Sequence, residues 1–315
     1  MSVTKDIILG CMGFGGGWNQ NPISNEDEKK AQAAIEAALE VGMKRFDHAD
    51  IYTLGKAEEV FGRVLKSKRE MRENMIIQTK AGIILNKGPN GSSIYNNSKD
   101  YLINQVYMSL KRLQIEYIDT FLIHRPDPLM NGEEIAETFH YLKEQGFVRN
   151  FGVSNMSLSQ VQYIQQYWKD PLVANQIQLS LGHSTLLDTG VNVNTKNMDY
   201  ESGVQGLFEY CKSTNMVIQA WGSLDQGRFL RSIEHDQSEQ EKLTASLIQE
   251  LAEKYNTGSS TIALAWLLVL PVSIHPIIGT INPSRIRECY KALSIQLTRE
   301  EWYQLWILAR GVSLP

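Results

Sequence analysis

The stretch FDHADIYTLGKAEEVFG, residues 46–62, begins as the end of an apolar strand. It crowds Asp47, His48, Asp50 and Tyr52 into its first seven residues and then turns helical. Buried polar groups are costly unless something pairs with them, so the cluster is either a solvated turn or part of a reaction site. KRFD (44–47) reads as the strand, and the segment near 56–65 as the helix that follows it.

The same rhythm extends in both directions. Upstream, 6–10 is strand-like and 26–42 is an amphipathic helix stopped by glycine. Downstream, strands are expected at 74–80, 117–124, 148–154, 172–178, 216–221 and 275–279. Helices are expected at 98–113, with a serine cap, and at 132–146, 158–168, 203–215, 240–255, 259–270, 283–293 and from after Thr298 to about 310. The polar stretch 180–202 reads as loop. Eight strands, each followed by at least one helix, point to a (β/α)8 TIM barrel formed by residues 1–315 as a single domain. The rival is an open doubly wound sheet. GCMGFGGG (10–17) is rich in glycine, but no spaced G-x-G-x-x-G follows a strand there, and the next helix starts only near residue 26.

Composition narrows the chemistry. The chain has 315 residues, 43% of them hydrophobic and 21% charged, with a formal net charge of −4. That balance offers no basic face for nucleic acid. Cys11, Cys211 and Cys289 are odd in number and widely spaced. They suggest neither a disulfide framework nor a metal site, and point to a reducing, cytoplasmic compartment. The apolar segment IALAWLLVLPVSI (262–274) is only 13 residues long and contains Pro271, so it reads as a core helix followed by a strand rather than a membrane span. The N-terminal segment lacks a signal-peptide layout.

Barrel active sites lie at the C-terminal ends of strands. Asp47 closes the second strand, Tyr52 lies in the loop after it, Lys80 closes the third and His124 the fourth. Each has a bland reading: a helix cap, a packing ring, a solvated lysine, a core histidine. Their convergence on three neighbouring strands favours a site. An ammonium beside a phenol favours the phenolate and lowers its pKa, and a carboxylate holds the ammonium in place. An imidazole alongside can orient a carbonyl. Such a set suits proton transfer to a carbonyl oxygen as negative charge builds there, with the hydride coming from a cofactor.

FDHADIYTLGKAEEVFG, IIQTKAG (76–82), YIDTFLIHRPDP (117–128), RNFGVSN (149–155), NQIQLS (175–180) and IIGTINPSRIRE (277–288) together resemble the aldo-keto reductase superfamily, in its order and over essentially the whole chain. The bacterial predicted-oxidoreductase branch is the most similar. The resemblance implies a catalytic tetrad of Asp47, Tyr52, Lys80 and His124, with Tyr52 as general acid in reduction. It implies NADP(H) as cofactor: Ser154, Asn155 and Gln176 on the nicotinamide carboxamide, Trp221 stacking on the ring, and Gly222, Ser223 and Leu224 over the pyrophosphate. Thr280, Asn282 and Arg285 fall at the 2′-phosphate, and Glu288 at the adenine.

The chain also departs from the family. Gly279 stands where a lysine often helps hold the 2′-phosphate, which weakens the preference for NADP(H) and keeps NAD(H) as the alternative. Cys289 replaces an adenine-contacting asparagine, and Ala81 and Gly82 replace a bulky wall of the pocket. Trp18 and Ile51 are candidates for the substrate pocket. The expected partner is a small carbonyl or alcohol substrate, with no nucleic acid, membrane or metal, and a monomeric chain. A nucleotide-binding subunit of the same fold with slow or no turnover is the competing function. A nucleotide-free barrel isomerase is a third.

Overall fold

The computed structural model describes residues 3–196, 203–231 and 237–315. Its strands are β1 (Ile8–Gly10), β2 (Arg45–Asp47), β3 (Ile76–Ala81), β4 (Ile83–Ile84), β5 (Ile94–Tyr95), β6 (Ile118–Ile123), β7 (Val148–Ser154), β8 (Ala174–Gln178), β9 (Val217–Trp221) and β10 (Ile274–Ile278). Its helices are α1 (Asn25–Glu40), α2 (Lys56–Ser67), α3 (Lys99–Leu113), α4 (Gly132–Glu144), α5 (Leu158–Tyr167), α6 (Thr185–Val191), α7 (Leu207–Thr214), α8 (Glu239–Lys254), α9 (Ser259–Leu268), α10 (Pro283–Tyr290) and α11 (Arg299–Arg310). Eight strands close a parallel barrel in the order β1-β10-β9-β8-β7-β6-β3-β2, which is the expected (β/α)8 fold. No helix among the described residues is long and apolar enough to cross a membrane.

Three features differ from the sequence expectation. The segment 180–202 is not all loop, because α6 occupies Thr185–Val191 and buries Leu186 and Leu187; positions 197–202 lie outside the described residues. Ser98 sits at the N-cap of α3 but makes no capping bond. The Lys99 amide instead donates to Glu134 Oε1 of α4 at 2.8 Å, so a distant carboxylate replaces the local cap. Finally, β4 and β5 pair as a small antiparallel hairpin directly after β3, built from runs of two residues, too short for periodicity to reveal.

Contacts divide the chain into two compact units. One comprises Ile8–Gln176 with Gly279–Ile286, and the other the remaining described residues. In the first, alternate residues of β2 and β3 point outward to the helices. Phe46 meets Phe61 of α2 edge-on at 5.3 Å, and Thr79 donates to Glu58 of α2 at 2.6 Å. Phe139, Phe151 and Trp168 form a second aromatic cluster there. In the other unit α9 is buried on all sides, so its sequence is apolar all round. Trp266 and Trp302 stack in parallel at 5.2 Å, and each indole N–H donates to the other residue's carbonyl, at 3.1 and 2.8 Å. Ser24, Ser157, Ser238 and Thr298 each close a capping box, contributing about 1 kcal/mol apiece.

Candidate active site

Register brings the polar residues together. Asp47 pairs with Gln78 across β2 and β3. Strand side chains alternate, so Gln78 and Lys80 share the face that Asp47 presents. Lys80 Nζ donates to both Asp47 oxygens at 2.8 Å and to the His48 carbonyl at 2.7 Å. Gln78 Nε2 donates to Asp47 Oδ1 at 2.5 Å, and Gln176 Nε2 reaches the same oxygen from β8 at 3.1 Å. Lys80 is 1% exposed and Asp47 2%. An ion pair that deep persists only when its remaining lone pairs and protons are satisfied, and the two glutamines and the His48 carbonyl do this.

Tyr52 lies beside this pair. The Lys80 ammonium sits 4.9 Å from the centre of its ring, and the His124 imidazole meets it edge-on at 6.1 Å. The structure thus brings Asp47, Tyr52, Lys80 and His124 together. Lys80 does pull the Tyr52 phenol down by its charge and hydrogen bond, but burial pushes harder the other way, with help from Asp47, and the net shift is upward. A phenol is protonated at neutral pH in any case, and this shift leaves Tyr52 a donor. Burial alone would drive Lys80 down; Asp47, and then Tyr52, reverse this and raise it, so the ammonium stays charged. Burial, then Lys80 and Arg125, hold His124 well below the usual histidine range, so its imidazole is neutral.

A second buried group backs the site. Asp50 donates its backbone N–H to the Lys80 carbonyl at 3.0 Å, and its Oδ1 has no hydrogen-bond partner among the described residues. Burial and then the Glu58 carboxylate push its carboxyl up to about 8. Glu58 itself accepts from Thr79 and, at 2.7 Å, from Arg112 Nε of α3. His48 is fully buried against Phe61, and burial, then Lys80, push it down to about 3.

Two residues were missed by sequence reasoning. Gln78 could have been found from its place two residues before Lys80 on one strand face. Asn97 carried no such signal. It is buried, donates through Nδ2 to the Arg125 carbonyl at 2.9 Å and through its backbone to Asp127 Oδ2 at 3.1 Å, and so fixes the segment after His124. Its Oδ1 would lie 2.4 Å from a Cβ at position 82, where φ is +122°, so only glycine fits there.

The remaining candidates occupy defined places. Ser154 Oγ donates to the Gln176 carbonyl at 3.0 Å, and Asn155 Nδ2 donates to Ser154 Oγ at 2.8 Å. Asn155 adopts φ 54°, a conformation asparagine tolerates. Asn282 Oδ1 caps the first turn of α10, accepting from the Ser284 and Arg285 amides at 3.0 and 3.2 Å. Thr280 Oγ1 accepts from the Asn282 amide, and Arg285 is exposed. A Cβ at Gly279 would meet nothing within 4 Å among the described residues. Trp18 is exposed, and Ile51 half-buried next to Tyr52.

In the other unit, Trp221 ends β9 half-buried, and Gly222 begins a left-handed turn at φ 63°. Ser223 Oγ donates to the Ile277 carbonyl at 2.7 Å, and Leu224 is half-buried in the loop that follows. Glu288 Oε1 accepts from Thr257, the Gly258 amide and Thr261, and Oε2 from Lys291, so this carboxylate ties α10 to the start of α9.

Comparisons with known proteins identify the family and the fold. The model of the Aldo/keto reductase family matches residues 6–309. The oxidoreductase YcsN of Bacillus subtilis is 31% identical over 295 residues, covering 92% of each chain. A 6-dehydroglucose reductase of Agrobacterium fabrum is 30% identical over 299 residues, covering 94% of this chain and 93% of its own. The solved structure of a glycerol dehydrogenase from Gluconobacter oxydans superposes with a TM-score of 0.80 at 25% identity, covering 98% of this chain and 93% of its own.

Proposed function

Given that the chain belongs to the aldo/keto reductase family, we propose that it is an NADP(H)-dependent oxidoreductase that reduces the carbonyl of small aldehydes, ketones or sugars. The observation that carries this reading is the Tyr52 phenol, buried beside the Lys80–Asp47 ion pair. A phenol so placed can give its proton to a carbonyl oxygen. The charged ammonium stabilises the phenolate left behind, and Asp47 keeps that ammonium charged and fixed. Neutral His124 donates a ring N–H and orients the substrate oxygen. In the oxidative direction the same phenolate takes the proton back.

A bound nicotinamide supplies the hydride, which no side chain can. The donor set fits such a group. Ser154, Asn155 and Gln176 form one hydrogen-bonded row suited to a carboxamide. Arg285 has no ion-pair partner among the described residues and stands at the N-terminal turn of α10, where a phosphate is favoured. Gly279 leaves Arg285 as the main cation for a 2′-phosphate. The relatives support the substrate class, since one is a reductase of 6-dehydroglucose and another a dehydrogenase of glycerol.

The test is a fluorescence titration with NADPH and NADH, followed by turnover with a panel of aldehydes, ketones and oxidised sugars. Tighter NADPH binding and nucleotide-dependent reduction of at least one carbonyl are expected. Tight binding with no turnover on any of the panel would favour a nucleotide-binding subunit instead, and no binding of either nucleotide would end the proposal.

A further inference from the structure

Thr53 follows Tyr52 directly, and it holds a backbone conformation that its own side chain opposes. Its φ is 46° and its ψ 38°; Leu54 continues at φ 61° and Gly55 at φ 89°. Three consecutive residues are left-handed, and only one is glycine. For a β-branched residue this region is a steric outlier, because the branched Cβ crowds the flanking backbone. Such a conformation persists only where the surroundings over-determine it.

The surroundings can be named. Thr53 is 1% exposed, and its hydroxyl lies 2.8 Å from the Tyr52 carbonyl and 2.9 Å from the Phe14 carbonyl. One hydroxyl proton is thus shared between the backbone of the proton donor and a second segment. That second segment is firm, because the Phe14 ring is buried and stacks on Phe61 of α2 at 6.3 Å. Beside it, Gly15 has φ 76°, and a Cβ there would come within 2.7 Å of the Lys56 carbonyl carbon and oxygen, so the two backbones touch. Lys56 reaches back, and its Nζ donates to Asn19 Oδ1 and to the Asn21 carbonyl, each at 3.2 Å. The glycine-rich stretch 10–17 and the residues beyond it therefore grip the turn 52–56 at Thr53 and again at Lys56.

We propose that Thr53 is a positioning residue for Tyr52: its hydroxyl, anchored on the Phe14 carbonyl, holds the Tyr52 backbone so that the phenol stays aimed at Lys80 and His124. The inference rests on reading Tyr52 as the proton donor. It also gives a role to the glycine-rich stretch, whose Gly15 permits the close approach that the brace needs. The phenol oxygen lies at the end of a long lever. A small rotation at the Tyr52 backbone moves it by about 1 Å, and a misplacement of that size costs on the order of 100-fold in rate.

Three substitutions test this, each assayed for kcat, KM, the pH dependence of kcat and melting temperature. Thr53→Val keeps the branch and removes the hydroxyl. It should lower kcat by about 10- to 100-fold while leaving KM and cofactor dissociation nearly unchanged, and should displace the alkaline limb of kcat. Thr53→Ser keeps the hydroxyl and should recover most of the rate. Thr53→Gly removes the hydroxyl but relieves the backbone, so it should be as slow as the valine variant yet melt no lower. That pairing separates positioning from stability, and it stands even where the valine variant does not fold. A glycine variant with the unaltered kcat and pH limb, or a loss that serine does not recover, overturns the proposal.

A spectroscopic readout needs no turnover. The phenolate absorbance of each chain, minus that of its Tyr52→Phe counterpart, reports the Tyr52 titration. This titration should move when the hydroxyl is removed and stay in place with serine. If the unaltered protein reduces no carbonyl, the proposed function fails by itself, and an unmoved Tyr52 titration in the glycine variant would then overturn the brace separately.

Discussion

Replacing Asp50 by asparagine should make the protein more stable at neutral pH, and the structure says by how much and over which range. The carboxyl is 6% exposed, its Oδ1 lacks a hydrogen-bond partner among the described residues, and burial followed by Glu58 pushes it from the ordinary 3.8 up to about 8. Arg112, the Ile51 amide and Lys80 oppose this only in part. Below about pH 4 the group is protonated in both folded and unfolded chains and contributes nothing to the balance. Above that, the unfolded chain releases its proton while the folded chain keeps it. Stability is therefore lost as pH rises, at about 1.4 kcal/mol per unit, until the folded group also ionises near pH 8.

Roughly three units separate the ordinary carboxyl value from pH 7, which corresponds to about 4 kcal/mol. That is an upper bound, because local opening that hydrates the carboxyl relieves part of the cost. Asparagine has the same shape and no proton to lose. Its carbonyl can accept from the Ile51 amide, and it places no charge beside Glu58. Urea denaturation of both chains at pH 4, 5, 6, 7 and 8 checks the reasoning. The two should coincide near pH 4 and diverge steadily, with the variant ahead by about 2–4 kcal/mol at pH 7. Parallel curves across the whole range, or a variant less stable at pH 8, would refute a neutral Asp50.

Tyr52→Phe should reduce carbonyl turnover by about 100-fold or more while cofactor binding stays nearly intact, because only the proton donor is removed; steady-state kinetics beside a nucleotide titration decide it. Arg285→Ala should weaken NADPH binding by about 1.5–3 kcal/mol, the range for a charged hydrogen bond, and NADH binding far less, and equal losses would contradict a 2′-phosphate contact. His48, pushed down to about 3 by burial, is neutral in the folded chain. Its unfolded form protonates below about pH 6.5, so stability should fall as pH drops from there toward 3. In His48→Met that acid-side slope should be shallower in denaturation curves.

Much of the architecture was legible because it is local. Ser24, Ser157, Ser238 and Thr298 each stand three residues before an acid or amide that completes a capping box, and those helices begin where the sequence placed them. The strand 148–154 was read to the residue, since alternation and flanking turns bound it. The convergence of Asp47, Tyr52, Lys80 and His124 followed from the barrel rule that places strand ends together. Asn97 was not legible, because its partners Arg125 and Asp127 lie 28 and 30 residues away and the sequence between them gives no spacing rule. The cap of α3 failed for the same reason, since Glu134 replaced it from another helix.

The order of residues alone determined the alternation of strand and helix, the starts of the helices that close a capping box, and which ionisable groups gather at neighbouring strand ends, because propensity, capping and side-chain period act over a few residues. Only the tertiary structure decided that burial outweighs Lys80 at the Tyr52 phenol, that Gln78 and Gln176 converge on Asp47, and that Thr53 is forced left-handed against Phe14. Those outcomes depend on how much water remains around a group and on which distant backbone it meets, and both are set when the segments pack.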